Sequence, residues 1–108
     1  MHIPSATRTP LGAFQGAFAA VPAPRLGAAA IKGAVAQSGL APGDVTDVLM
    51  GNVLQAGNGQ VPSRQAQING GIPKEVSSET INKVCASGMR AVGMLDTAIR
   101  AGDIEVGV

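Results

Sequence analysis

Aromatic rings and metal-binding side chains are scarce in this sequence. Its 108 residues contain two Phe, no Trp, no Tyr, one Cys and one His. A single cysteine cannot form an internal disulfide, and one Cys with one His cannot assemble a zinc site. With few large rings, helices and strands must pack closely through small residues, and the chain has 15 Gly. We therefore expect no metal, no disulfide framework and a modest core.

A strong charge of either sign and a long apolar run are also missing. The formal net charge is +1, from eight basic and seven acidic residues spread evenly. No basic stripe or aromatic platform suggests nucleic acid as a partner. The apolar runs fall far below the ~20 residues of a membrane span, and the N-terminus lacks the features of a secretory signal. We expect a globular protein of the cytoplasm that binds neither nucleic acid nor membrane.

The apolar pattern predicts alternating strands and helices. The predicted strands are residues 3–6, 45–50, 77–84 and the segment from 104 onward. The predicted helices run from Pro24 to Gly39, over residues 63–69 after Pro62, and from Ala86 to Gly102. The order β-α-β-α-β-α-β is typical of a layered α/β domain with a mainly parallel sheet and right-handed crossovers. Because the last strand has just begun where the chain stops, we expect a truncated domain.

The glycine-rich segment Gly51–Gln60 is the first candidate for chemistry. Its triplet Gly57-Asn58-Gly59 suggests a loop that cradles phosphate. A nucleotide loop of that kind also needs a further fixed glycine or a Gly-Lys-Ser/Thr ending, and neither is present. We therefore expect a tight structural loop here, followed by a solvated or locally paired Arg64.

The only cysteine, Cys85, is the second candidate. It lies where the strand 77–84 gives way to a helix, so we predict it in the first helical turn. Unpaired N–H groups and the helix dipole favour the thiolate there, which is the form that attacks electrophiles. A lone cysteine in apolar surroundings is more often a small buried side chain, so both interpretations stay open. A nucleophile also needs a base, and the only histidine, His2, is at the far end of the chain.

Three blocks of sequence, found in a fixed order, resemble one family. The block Asn82-Lys83-Val84-Cys85-Ala86-Ser87-Gly88-Met89 resembles the nucleophile motif of the thiolases, in the form typical of acetyl-CoA acetyltransferases. Ser5–Pro10 resembles the opening strand and turn of that family. Gly51–Gly57, with Gly59-Gln60 and Arg64-Gln65-Ala66, resembles its central motif. The resemblance extends over the whole chain, residues 1–108, as part of the N-terminal domain.

The resemblance implies a fold, a reaction and a role for Cys85. The fold would be an incomplete first half of two similar α/β halves. Cys85 would take an acetyl group from acetyl-CoA, and a second acetyl-CoA would condense with it to acetoacetyl-CoA, or the reverse. The substrates would be coenzyme A thioesters, with no metal or redox cofactor. A full-length homodimer or homotetramer is implied, with the strand before the nucleophile near the subunit contact.

Other interpretations remain open within and outside this enzyme class. The family's activating histidine and second cysteine are absent here, so we expect the segment alone to be inactive. One alternative is a degradative thiolase that takes longer 3-oxoacyl-CoA chains. Another is a non-catalytic α/β assembly module derived from a thiolase. Pro4 departs from the aliphatic residue usual in the first strand, which fits either a fragment or a degenerate product; the fragment is our expectation.

Overall fold

Helices and strands alternate from Ala23 onward in the computed structural model, which describes residues 1–108. The elements are α1 (Ala23–Ser38), β1 (Asp47–Gly51), α2 (Pro62–Asn69), β2 (Ser77–Ile81) and α3 (Ser87–Ala101), with a 3-10 turn at Pro42–Asp44. The two strands are parallel and each is followed by a helix. The predicted α/β class is confirmed. None of the helices is long and apolar enough to cross a membrane.

Strand β1 has a backbone partner on each side. On one side it pairs with β2 in parallel, from Asp47 opposite Ser77 to Gly51 opposite Ile81. On its other side the last residues of the chain pair with it. The Leu49 N–H donates to the Val108 carbonyl at 2.8 Å, and the Val108 N–H donates to the Asp47 carbonyl at 3.0 Å. The segment predicted to begin a strand at 104 therefore reaches the sheet, although it forms only an isolated bridge.

The first ten residues form no helix or strand, so the predicted strand 3–6 is wrong. Instead, the Ser5 hydroxyl donates to the Ala34 carbonyl and the Thr7 hydroxyl donates to the Ala30 carbonyl, each at 2.8 Å. The segment therefore runs along α1 as an extended strap. Pro4 has no N–H to give to a strand partner, and the open edge of β1 is occupied by the end of the chain.

Proline and glycine set the limits of the helices. Pro24 and Pro62 lie in the first turns of α1 and α2, where a missing N–H costs nothing. Gly39 and Gly102 end α1 and α3 in the left-handed conformation, with φ of 76° and 80°. The three predicted helices are confirmed, and each of their ends lies within one residue of the predicted position. Strand β2 stops at Ile81, three residues before the predicted end.

The side chains of β1 alternate between two layers of helices. Val48 is fully buried in a cluster with Ile31 of α1 and Ala66 of α2. Leu49, the next residue, packs with Ala91 and Leu95 of α3 on the opposite face. A parallel strand covered on both faces is the arrangement expected of a layered α/β domain. It places the N-terminus of α3 at the carboxyl end of the sheet, where ligands of such folds bind.

Candidate functional site

A five-residue turn, Asn82–Ala86, connects β2 to α3 and carries Cys85. Helix α3 begins at Ser87 with Ala86 as its N-cap, so Cys85 lies just before the helix and not within its first turn. Its thiol is free and its side chain is exposed. The predicted strand-to-helix junction is confirmed, whereas the alternative of a small buried side chain does not hold.

The turn has an unusual backbone at the residue before the cysteine. Val84 has a φ of 49°, in the left-handed region. A β-branched side chain rarely adopts this conformation, which costs on the order of 1–3 kcal/mol when the surroundings impose it. Something in the turn must therefore hold Val84 in place.

Side chains on both sides of Val84 hold the turn. Ser87 is buried, and its hydroxyl accepts from the Lys83 N–H at 2.8 Å and donates to the Val84 carbonyl at 2.6 Å. From the other end, Asn82 Oδ1 accepts from the Val84 N–H at 3.0 Å. The turn itself, through Asn82, and helix α3, through Ser87, therefore each contribute a side chain that holds the conformation of Val84.

Three backbone donors near the thiol have no acceptor within the chain. They are the N–H groups of Cys85, Gly88 and Met89. Unpaired N–H groups are normal for the start of a helix, and the helix dipole adds partial positive charge there. An oxyanion that develops beside Cys85 is therefore favoured.

The glycine-rich segment meets the cysteine turn at Gly51. A Cβ on Gly51 would lie 2.7 Å from the Gly88 nitrogen and 2.8 Å from the Ser87 Cβ, so only glycine fits. Asn82 Nδ2 donates to the Val53 carbonyl at 3.3 Å and adds a second link. Two of the three blocks that resemble the thiolases therefore come together at the site.

The third block and the histidine lie elsewhere. Ser5–Pro10 belongs to the strap along α1. His2, the only histidine, lines an apolar groove between that strap, α1 and α3, and Cys85 is not among the residues of the groove. Nor does the chain bring three His, Cys, Asp or Glu side chains together as metal ligands. The chain thus presents a thiol and anion-favouring donors, without a histidine base.

Two residues of the site have roles that the sequence did not reveal. From the sequence, Ser87 is only a small residue close to Cys85, and Asn82 is only a member of the block that contains Cys85. Their hydrogen bonds depend on the left-handed conformation of Val84, which a valine at that position does not indicate. A glycine there would have indicated such a turn, but valine does not.

Comparison with known proteins identifies relatives over the whole chain. The family model described as "Thiolase, N-terminal domain" matches residues 1–108. Proteins named acetyl-CoA acetyltransferase from Pseudomonas aeruginosa and Cupriavidus necator are each 52% identical over 104 residues, which are 96% of this chain and 26% of theirs. A zebrafish protein (Danio rerio) named "Acetyl-CoA acetyltransferase, mitochondrial" is 47% identical over 96% of this chain and 25% of its own length. The chain therefore spans about a quarter of the length of these curated relatives.

Proposed function

The chain belongs to the thiolase N-terminal domain family, and from that premise we propose that Cys85 is the residue that accepts an acyl group from acetyl-CoA. The observation that carries the proposal is the exposed Cys85 thiol in a strained turn at the start of α3. A thiolate there is accessible to a thioester and lies beside unpaired N–H groups.

The proposed reaction divides a carbon–carbon bond formation into two steps. The Cys85 thiolate attacks the carbonyl carbon of acetyl-CoA, a new sulfur–carbon bond forms, and the coenzyme A thiolate leaves. A second acetyl-CoA, deprotonated at its methyl carbon, then attacks the acyl-enzyme, which gives acetoacetyl-CoA and restores the thiolate. Covalent catalysis of this kind replaces one difficult step with two easier ones. The reverse sequence is thiolysis.

The backbone N–H of Cys85 is suited to stabilise the oxyanion of each step. It has no acceptor within the chain, and it belongs to the same residue as the attacking sulfur. Loss of one such donor typically lowers a rate ~10²–10³-fold. The proton transfers require a base and an acid that the described site does not contain, so they are assigned to other parts of the full-length enzyme.

The names of the relatives favour acetyl-CoA and acetoacetyl-CoA over the longer substrates of a degradative thiolase. We propose that no metal or redox cofactor takes part, because the thiol alone can carry the acyl group.

Assembly of the full-length protein as a homodimer or homotetramer is supported by β2, which leaves one edge without a partner strand. A cytoplasmic location also remains a proposal, since one relative is named a mitochondrial protein.

Labelling of the only thiol tests the proposal directly. The chain is incubated with acetyl-CoA or iodoacetamide at neutral pH and followed by mass spectrometry, with Cys85→Ser as the control. We expect Cys85 to be modified faster than the cysteine of an unstructured peptide containing residues 80–90, and the modification to be absent in Cys85→Ser. Modification no faster than in the peptide would favour the non-catalytic assembly module instead.

A further inference from the structure

We propose that Ser87 is a positioning residue for acyl transfer, which orients and polarises the backbone N–H of Cys85. The inference rests on the proposed function of Cys85 as acyl acceptor. It assigns to the hydroxyl of Ser87 a role in stabilising the oxyanion that is separate from its role in holding the turn together.

The geometry lies in a single peptide group. The Ser87 hydroxyl donates to the Val84 carbonyl at 2.6 Å, and that carbonyl shares its peptide plane with the Cys85 N–H. The peptide is trans, so the carbonyl and the N–H point in opposite directions within one rigid plane. A donor that fixes the oxygen therefore also fixes the direction of the hydrogen.

The preceding peptide groups are held in the same manner. The Lys83 N–H donates to the Ser87 hydroxyl at 2.8 Å, and the Val84 N–H donates to Asn82 Oδ1 at 3.0 Å. Three successive peptide planes before Cys85 are thus each held by a side chain. Two backbone bonds also cross the turn, from the Ala86 N–H to the Lys83 carbonyl and from the Ser87 N–H to the Val84 carbonyl, each at 3.1 Å. Loss of a side-chain bond would therefore shift the direction of the Cys85 N–H without unfolding the turn.

The same hydrogen bond strengthens the donor. A hydrogen bond to a carbonyl increases the polarity of the peptide, so that its N–H donates more strongly to the next acceptor. Ser87 is only 4% exposed, so water does not compete for its hydroxyl. The Cys85 N–H has no other acceptor, which leaves this polarised donor available to a substrate oxygen.

The backbone of Ser87 is also held in place, by close contact with strand β1. Its Cβ lies directly against the site of the missing Cβ on Gly51, at 2.8 Å. Strand β1 therefore fixes the Ser87 backbone, and the hydroxyl reaches both of its partners from a rigid base. The Ser87 hydroxyl is therefore placed to set the direction of the Cys85 N–H as well as to stabilise the turn.

Two reagents separate an oxyanion effect from a general loss of structure. p-Nitrophenyl acetate transfers an acetyl group to sulfur through a tetrahedral oxyanion, with nitrophenolate leaving. Iodoacetamide alkylates the same sulfur by displacement of iodide, without an oxyanion. An altered thiolate changes both rates, whereas a misdirected Cys85 N–H changes only the first.

The experiment compares both rates at Cys85 in the chain and in Ser87→Ala, with folding checked by circular dichroism. We expect acetylation to slow about tenfold and alkylation to stay within about twofold, because the donor is misdirected but not removed. Ser87→Thr, which keeps the hydroxyl, should restore part of the acetylation rate.

Ser38→Ala is the matched control. Its hydroxyl likewise donates to a carbonyl, that of Val35, and accepts from the Leu40 N–H, but it lies at the end of α1.

The inference would be overturned if Ser87→Ala slowed the two reactions equally, or if it slowed neither of them. If Ser87→Ala does not fold, Asn82→Ala decides, because exposed Asn82 holds the adjacent peptide. A selective loss of acetylation in that variant supports the inference, and an unselective effect refutes it. Failure of the proposed function has a different outcome: the unaltered chain would then react with p-nitrophenyl acetate no faster than the peptide.

Discussion

Val84 and Gly51 are the two residues whose backbones decide how Cys85 is presented. Val84 adopts a conformation that suits glycine, whereas Gly51 has an ordinary φ but no room for a side chain. The sequence shows a glycine at position 51 without giving its reason, which is the approach of α3 some 36 residues later. Cys85 could be predicted at the junction of a strand and a helix, but the hydrogen bonds from Ser87 and Asn82 could not. They depend on a strain that residue types do not encode.

Substitution of Gly51 by alanine should destabilise the fold. The new Cβ would lie 2.7 Å from the Gly88 nitrogen and 2.8 Å from the Ser87 carbonyl carbon, which are backbone atoms that cannot rotate away. We expect a loss of about 2 kcal/mol in the free energy of unfolding, within the usual range for overpacking. Urea denaturation followed by circular dichroism measures it.

Gly93→Ala is the control for that substitution. Gly93 lies within α3 with nothing within 4 Å of an added Cβ, so alanine should stabilise the helix by up to ~1 kcal/mol. Opposite signs for the two variants would support the close approach at Gly51. A loss of less than about 0.5 kcal/mol in Gly51→Ala, the range of ordinary surface changes, would show that α3 can move away from β1.

The elements differ in how well local sequence predicts them. Proline and glycine mark the ends of the helices, and these could be predicted closely. Strands depend on distant partners: residues 3–6 have a strand-like pattern, yet the hydroxyl groups of Ser5 and of the following Thr7 attach this part of the chain to α1. Arg64 was predicted to be solvated or locally paired, and it is locally paired, since it donates to the Lys74 and Val76 carbonyls at 2.6 and 2.8 Å. Such contacts tie the segment after α2 to the helix itself.

Hydroxyl groups join the start of α2 to strand β2, and Thr80→Val tests this link. The Thr80 hydroxyl accepts from the Ser63 N–H at 3.1 Å and donates to the Ser63 hydroxyl at 2.9 Å. Ser63 is only 1% exposed, so valine would leave a buried N–H without a partner. We expect a loss of ~1–3 kcal/mol in the free energy of unfolding, measured by urea denaturation.

Thr97→Val provides the comparison on an exposed helix. The Thr97 hydroxyl donates to the Gly93 carbonyl of α3 on the surface, where water can replace it. Its loss should change the free energy of unfolding by less than about 0.5 kcal/mol. Similar losses in the two variants would mean that the Thr80 hydroxyl does not stabilise the start of α2.

At the scale of the whole molecule, the order of elements and the layers could be predicted, but the edges of the sheet could not. The apolar run Val48-Leu49-Met50 is typical of a strand covered on both faces, and the structure has α1 and α2 on one face and α3 on the other. Two segments far apart in sequence, residues 1–10 and 104–108, could each pair with the open edge of β1. Local pattern cannot rank those partners, because both segments look like short strands. The part of the site that could be predicted is the position of Cys85 between a strand and a helix, because that follows from the order of elements.

The chain by itself should accept an acetyl group but should not join two of them. Condensation requires a base that removes a proton from the second acetyl-CoA beside the acyl-enzyme. The only histidine is His2, which lies in the groove between the strap, α1 and α3, away from the Cys85 turn. We therefore expect mass spectrometry to detect acetylated Cys85, and chromatography to detect no acetoacetyl-CoA above the level in buffer, even at millimolar acetyl-CoA. Acetoacetyl-CoA that forms with this chain and disappears in Cys85→Ser would contradict the expectation, because a base within residues 1–108 would then have to reach the acyl group.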